Sequence, residues 1–254
     1  MKTIAVINQK GGVAKSTTAQ VIGSLLAKES RVLLVDSDAQ GNLTYSLGVD
    51  SAQGGGSLHE VLTGAAKASD CIRHIGGGLD LIASSPSLAA ADLVLKDTGK
   101  EYRLKEAVAP TYGFNYGYCI IDTPPSLGIL TINALTAADG VVIPAQADAF
   151  SLLGISQVRD TIDAVRKYCN HDLRVYGILL TRFQERTIIS RNVSDYLHSL
   201  TESEGLRVFA THIRECTAVK EAQVKRTPLT GYAPACNAAK DYASFLQELK
   251  EVMA

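Results

Sequence analysis

The chain has 254 residues, of which 46% are hydrophobic and 20% charged, and its formal net charge is -1. These values fit one large α/β-sized domain with a substantial core, and they exclude a uniformly basic surface with global affinity for nucleic acid. Five widely spaced cysteines without a C-x-x-C pair, Cys71, Cys119, Cys169, Cys216 and Cys236, exclude a disulfide framework and a zinc site and predict reduced thiols in a cytosolic protein.

The chain enters an apolar run at once, with no signal-peptide pattern, and no run is long enough to span a bilayer. The periodicity predicts a strand over 3–7 and a helix over 18–27. Between them lies Asn8-Gln9-Lys10-Gly11-Gly12-Val13-Ala14-Lys15-Ser16-Thr17. In a strand-to-helix turn, adjacent glycines bring main-chain N–H groups close to an anion, and the helix start adds partial positive charge. Lys15 then supplies a point charge and Ser16 a hydroxyl for a divalent metal. The ordinary P-loop spacing G-x-x-x-x-G-K-[ST] is not met, because Gln9 and Ala14 occupy its glycine positions.

Lys10-Gly11-Gly12-Val13-Ala14-Lys15-Ser16 instead resembles the deviant Walker A motif, K-G-G-x-x-K-[ST], of the ParA and MinD branch of P-loop ATPases. The resemblance implies an ATP-binding loop over 10–17. It puts Lys15 on phosphate in its own subunit and has Lys10 reach across a nucleotide sandwich dimer to the partner's ATP. The Ala14 methyl is expected to face the partner subunit and to weaken the sandwich or slow its breakdown.

Residues 31–36 read as a buried parallel strand that delivers Asp36 to the sheet edge where open α/β folds bind ligands. The following Asp36-Ser37-Asp38-Ala39-Gln40-Gly41-Asn42 resembles the family's D-x-D-x-Q-G-N segment, which implies that Asp38 positions the attacking water and sits near the metal through water. A loop is expected over 51–56, then a capped helix start with Ser57 and Glu60 in a capping box and His59 on its surface. A strand follows over 79–85, and a helix with an interrupted apolar face over 89–108.

The run Tyr118-Cys119-Ile120-Ile121-Asp122-Thr123-Pro124-Pro125 is a strand ending in a carboxylate and closed rigidly by proline. Its D-T-P-P form resembles the same branch and implies that Asp122 holds Mg²⁺ through the metal's water shell. A helix over 126–137, a strand over 140–145, a core-facing helix over 150–167 and a strand over 175–181 complete the pattern. Relatives contact adenine just after that last strand. Thr181 and Arg182 occupy the place here, without the asparagine common in the family.

In the last third, Arg182, Arg186, Arg191, Arg207, Arg214, Lys220, Lys225 and Arg226 alternate with glutamates. The segment resembles a degraded form of the family's tail. Of these, Arg186, Arg191, Arg214, Lys220, Lys225 and Arg226 are the candidate DNA contacts, effective once two chains join their patches, since phosphate contacts add through counterion release. The final helix, over 238–253, is apolar on one face and mixed to acidic on the other, whereas a membrane anchor needs a basic polar face.

The resemblance therefore implies a single ATPase domain over 1–254, a mostly parallel twisted sheet with helices on both faces and no helix-turn-helix extension. It implies slow Mg-dependent ATP hydrolysis, stimulated by dimerisation, DNA and a ParB-like partner. The expected molecule is a cytoplasmic, nucleoid-associated homodimer that binds DNA without sequence preference and segregates plasmid or chromosome, with no membrane partner. Alternatives are a related ATPase positioning non-DNA cargo and a MinD-like membrane-associated ATPase, the latter disfavoured by the final helix. A cluster carrier would need shared cysteines, and a dead nucleotide site conflicts with the set Lys10, Lys15, Asp38 and Asp122.

Overall fold

Seven short strands pair into one sheet in a computed structural model that describes residues 1–50, 54–109, 115–184 and 206–254, with the side chains of 149–153 left undescribed. In chain order the elements begin β1 (Lys2–Val6), α1 (Lys15–Leu26), β2 (Val32–Asp36), α2 (Asn42–Ser46), α3 (Leu58–Thr63), α4 (Ala68–Cys71), β3 (Ile72–Gly76) and β4 (Leu79–Ile82). Next come α5 (Ala91–Val94), α6 (Arg103–Ala107), β5 (Tyr118–Asp122), α7 (Ile129–Ala137), β6 (Gly140–Gln146), α8 (Ala149–Tyr168) and β7 (Arg174–Thr181). The chain finishes with α9 (Thr217–Val224), α10 (Leu229–Tyr232) and α11 (Asn237–Met253).

The strand order is β3-β4-β2-β5-β1-β6-β7, parallel throughout except for β3 against β4. The expected mostly parallel sheet is thus present. Strand alternation divides the core between the two faces. Ala5, Leu33, Val35, Cys119, Ile121, Val141 and Ile143 face the side covered by α3, α6, α7 and α8. Ile4, Val6, Val32, Leu34, Ile120 and Val142 face α1 and α11.

In β7 the alternation slips. The pairing with β6 jumps from Val141↔Val175 to Val142↔Gly177, so Tyr176 is an unpaired bulge residue whose ring turns to the α1/α11 side. That ring lies over Gly140, where an added Cβ would sit 2.2 Å from the Tyr176 Cζ.

The helix expected over 89–108 is instead four short pieces, 3₁₀ turns at Pro86–Ala90 and Lys100–Tyr102 alternating with α5 and α6. Gly99, at φ 84°, breaks it. Tertiary bonds then replace helical ones: Leu104 N donates to Asn133 Oδ1 at 3.0 Å, and Asn133 Nδ2 donates to Lys100 O at 2.8 Å. The neighbouring helix begins at Ile129, not 126, where its N–H donates to Asp92 Oδ1 at 2.9 Å. The Ser57–Glu60 capping box is present, with Ser57 N donating to Glu60 Oε2 at 2.8 Å.

The last helix packs on α1 and β7, its Tyr242 hydroxyl 2.9 Å from Thr18 Oγ1. Among the described residues no helix is long and apolar enough to cross a membrane.

Gly140→Ala should lower the unfolding free energy by about 1–3 kcal/mol through overpacking against Tyr176. Denaturant titration measures it, and Gly140→Ala combined with Tyr176→Leu should recover part of the loss.

Candidate functional site

Parallel strands bring their carboxyl ends to one edge, and the register sets what meets there. Asp122 stands level with Val6 on one side and Asp36 on the other. Directly beyond Val6, residues 8–14 form the turn that leads into α1. They border a cleft of about 450 Å³ whose walls include Gly11, Gly12, Lys15, Ser16, Asp38, Thr181 and Arg182.

The turn is tethered from its neighbours. Asn8 Nδ2 donates to Pro144 O at 2.7 Å, and Asn8 Oδ1 accepts Lys10 N at 2.9 Å. Gln146 Nε2 donates to Gly12 O at 3.1 Å. Thr181 is fully buried, and its hydroxyl shares one proton between Val13 O at 3.0 Å and Ala145 O at 3.2 Å. The loop is therefore set by β6 and β7 before any ligand arrives.

Main-chain donors at the start of α1 face the cleft without a side-chain acceptor. Its N-cap is Ala14, in the left-handed region at φ 65°, which makes no side-chain cap, and the first turn carries no acidic residue. Helices lacking such caps leave N–H groups unsatisfied, a natural seat for an anion. Gly12 has φ 76°, and space is open for 4 Å around any Cβ built at Gly11 or Gly12. The pair thus keeps the cradle clear rather than serving a packed contact.

Below this cradle the charges are dry. Lys15 is 7% exposed, its Nζ donating to Lys10 O at 3.1 Å. Burial lowers its pKa, while the carboxylates of Asp122 and Asp38 oppose the shift. Asp36 is fully buried and accepts Thr44 N at 2.8 Å, Thr44 Oγ1 at 2.7 Å and Asp38 N at 3.2 Å. Burial pushes its pKa up to about 6 against those bonds. Asp122 is also fully buried, and neither of its carboxylate oxygens has a hydrogen-bond partner. Burial, then the nearby Asp36, raise its pKa well above the ordinary carboxylate value; the Ser16 hydroxyl and Lys15 pull the other way.

Asp38 sits above this pair on a turn that Ser84 and Gly41 hold. Its Oδ1 accepts Gln40 N at 3.0 Å, its carbonyl accepts Gly41 N at 2.9 Å, and Ser84 Oγ also donates to that carbonyl. An orphaned carboxylate facing a hydroxyl and an uncapped helix start suits a divalent ion that brings oxygens of its own. Among the described residues no three His, Cys, Asp or Glu side chains form a direct metal cluster. That donor set fits magnesium, which keeps water and phosphate ligands.

Of the residues singled out in the sequence, Gly11, Gly12, Ala14, Lys15, Ser16, Thr17, Asp38, Thr181, Arg182, Arg214 and Lys220 border this one cleft. Val13 is buried beneath it, and Asp122 lies under its floor. Lys10 turns aside, its Nζ paired with Asp148 and 3.4 Å from Gln146 Oε1. Thr181 borders the cleft with its hydroxyl proton given to Val13 O and Ala145 O, so it supports the loop. Arg182, at φ 51°, places a terminal nitrogen 3.0 Å from Glu215 Oε1.

Two of the candidate DNA contacts have partners within the chain. Arg214 donates through Nε and a terminal nitrogen to both carboxylate oxygens of Asp241, at 2.9 and 2.5 Å. Arg226 lies 4.8 Å over the Tyr45 ring and donates to Val49 O at 2.8 Å. Both guanidiniums thus make the planar, bidentate or stacked contacts that suit arginine. Lys220 and Lys225 are exposed, and Arg186 and Arg191 lie outside the described residues.

The sequence reading passed over Asn8, Thr44, Gln146 and Asp148. Their only signal was position, just beyond or shortly after strand ends.

The AAA_31 family of AAA domains matches residues 1–175. The chain is 39% identical to the sporulation initiation inhibitor protein Soj of Bacillus subtilis, over 98% of each protein. It is 36% identical to the chromosome partitioning protein ParA of Caulobacter vibrioides, over 98% of this chain and 94% of that protein. Among solved structures, a cobyrinic acid a,c-diamide synthase from Mycobacterium smegmatis with bound ADP and magnesium superposes with a TM-score of 0.83 at 37% identity, covering 97% of this chain and 93% of that one.

Two stability predictions follow from the strained and unpaired groups. A carboxyl whose folded pKa exceeds its unfolded value of about 3.9 contributes stability that is complete below that value and is lost as pH rises through the folded one. For Asp36 the loss runs up to about pH 6, and for Asp122 it likewise falls above the ordinary carboxyl range. Asp122→Asn should therefore stabilise the ligand-free chain by about 1–3 kcal/mol, with a gain that grows as pH rises. Ala14→Gly should add about 0.5–1 kcal/mol by relieving the left-handed φ. Denaturant titrations across pH 4–9 read both, about a range set by ordinary carboxyl titration.

Proposed function

The chain belongs to the ParA/Soj type of deviant Walker A ATPases within AAA_31, and from that premise we propose an ATP-gated DNA-segregation switch. The single observation that carries the nucleotide reading is the buried, unpartnered Asp122 beneath an uncapped helix start with Lys15 and Ser16 beside it. The M. smegmatis structure holds ADP and magnesium, which supports the same ligands here.

In this reading the main chain from Gly11 to Ser16, with Thr17, holds the phosphates, and Lys15 neutralises them in its own subunit. Ser16 ligates Mg²⁺, while Asp122 and Asp38 hold it through water. The metal supplies positive charge at the phosphate oxygens. Asp38 also orients the attacking water, and Asp36 keeps the Asp38 turn and α2 in place through Thr44. Thr181 fixes the loop at Val13. Lys10 leaves Asp148 and Gln146 to reach the nucleotide of a second copy, a trans-acting cation worth about a thousandfold or more in rate.

Hydrolysis then requires pairing. The paired state presents Lys220 and Lys225 from both chains, with Arg186 and Arg191 as further proposed contacts. DNA binding follows the nucleotide and carries no sequence preference. A ParB-like partner would trigger turnover and supply the cargo, plasmid or chromosome, and place the protein on the nucleoid in the cytoplasm. The kinship to Soj and ParA favours this over the reaction named for the M. smegmatis structure.

DNA co-sedimentation tests the switch. Binding should appear with ATP, be absent with ADP or with Lys10→Ala, and fall by about ten- to a thousandfold between 50 and 200 mM salt, the range for a few phosphate contacts. Equal binding in all three conditions would refute it.

Magnesium binding should also release protons, because a cation lowers the raised carboxyl pKa values at Asp36 and Asp122. Calorimetry in buffers of different ionisation enthalpy measures the release near pH 6, and Asp122→Asn should diminish it.

A further inference from the structure

One side-chain bond joins α9 to the start of α1. Gln223 Nε2 donates to Thr17 Oγ1 at 3.3 Å, and both residues border the cleft. Gln223 makes this reach from a fixed base. Ala222 beside it is buried, Arg226 N donates to Gln223 O at 3.0 Å, and the Arg226 guanidinium is stacked on Tyr45. Leu229 N then donates to Gln20 Oε1 at 3.4 Å, and Gln20 Nε2 donates to Ser46 Oγ at 2.7 Å, so the end of α9 is seated on α1 and α2.

The bond from Gln223 occupies one lone pair of the Thr17 oxygen and leaves the hydroxyl proton to be placed. A threonine in a helix can return that proton to the carbonyl four residues back. Here that carbonyl is Val13 O, which already accepts the Thr181 hydroxyl at 3.0 Å. 

We propose that Gln223 is a positioning residue: by donating to Thr17 Oγ1 it turns the Thr17 hydroxyl proton toward the cleft, for a phosphate oxygen to accept, and so ties α9 to the presence of that phosphate. This rests on the cleft being the nucleotide site.

A hydroxyl that accepts one hydrogen bond is a stronger donor in the next, so Gln223, Thr17 and a phosphate oxygen form a chain whose bonds reinforce one another. The effect is reciprocal. If α9 tightens phosphate binding through Thr17, phosphate tightens α9 on α1 by the same factor. Lys220 lies on that helix and Lys225 caps its end. A bound nucleotide therefore steadies both cations within a single chain, apart from any pairing with a second copy.

Binding of a fluorescent ATP analogue to the full chain with magnesium tests the proposal through a double-mutant cycle. Gln223 is exposed, so its replacements leave the core untouched. Gln223→Ala should weaken binding about two- to tenfold, the range for one hydrogen bond. Gln223→Glu keeps the size but only accepts, drawing the Thr17 proton to itself, and should weaken binding further. In a Thr17→Val background Gln223→Ala should change nothing more, and in a Thr17→Ser background, which keeps the hydroxyl, its effect should return. Hydrogen exchange gives a second readout: the analogue should slow exchange of the α9 amides in the unmodified chain and not in Gln223→Ala.

Unchanged affinity in Gln223→Ala or Gln223→Glu, or a loss of equal size in the Thr17→Val background, would overturn the positioning role while leaving the nucleotide site standing. Equal protection of α9 in both chains would overturn its tie to the phosphate. An unmodified chain that binds no analogue would overturn the nucleotide reading itself, and the proposal with it.

Discussion

Three carboxylates and one ammonium share the dry edge of the sheet, and this imbalance governs the rest of the site. Asp36, Asp38, Asp122 and Lys15 are all at least nine-tenths buried. Charges in such surroundings are tolerated only when paired, bonded or neutralised by a proton. Asp36 is bonded by Thr44 and Asp38, and Lys15 leans on a carbonyl and two carboxylates. Asp122 alone has neither bond. It takes a proton more readily than an ordinary carboxyl, and the binding of a divalent ion is its other route to compensation. The fold holds a destabilised acid where a metal is wanted, a trade of stability for function seen at many sites.

That trade requires a rigid surround, since a loose loop would collapse onto the unpaired acid. Rigidity comes from outside the loop. Asn8, Gln146 and Thr181 fix its main chain to β6 and β7, and Ser37 Oγ donates to Asp122 O at 2.6 Å, locking the ends of β2 and β5 together. Parallel pairing makes this possible, because it delivers the carboxyl ends of neighbouring strands to one edge. The left-handed Ala14 is a local strain that the surrounding tethers hold in place.

Much of this was legible in the sequence, for identifiable reasons. Strands carrying unbroken apolar runs can only be buried on both faces, so the parallel sheet was readable from residues 31–36 and 118–122. The two-lysine loop was readable because its spacing is specific. The antiparallel β3 was not, since Ile72-Arg73-His74-Ile75-Gly76 has a mixed surface pattern and is placed by tertiary bonds: His74 Nδ1 lies 2.5 Å from Asp80 Oδ1, with Arg31 and Tyr116 donating to the same carboxylate. Asn133 and Asp92 likewise accept the first N–H groups of helices from a distance that no local pattern records. Sequence periodicity reports burial, and says little about which polar side chain will satisfy which main-chain group.

The same limit applies to the charges of the last third. Counted along the chain, arginines and glutamates there look like solvated helix faces. In the fold they neutralise one another across elements: Asp241 takes Arg214, Glu248 accepts the N–H groups of Ala210 and Thr211 at 2.8 and 3.1 Å, and Lys250 pairs with Glu29. The acidic face of α11 is thus an internal acceptor surface, and its composition answers to packing. Among the described residues of α9 and its C-terminal end, Lys220 and Lys225 are the exposed cations. Two lysines on one chain release too few counterions for firm binding to a polyanion at physiological salt.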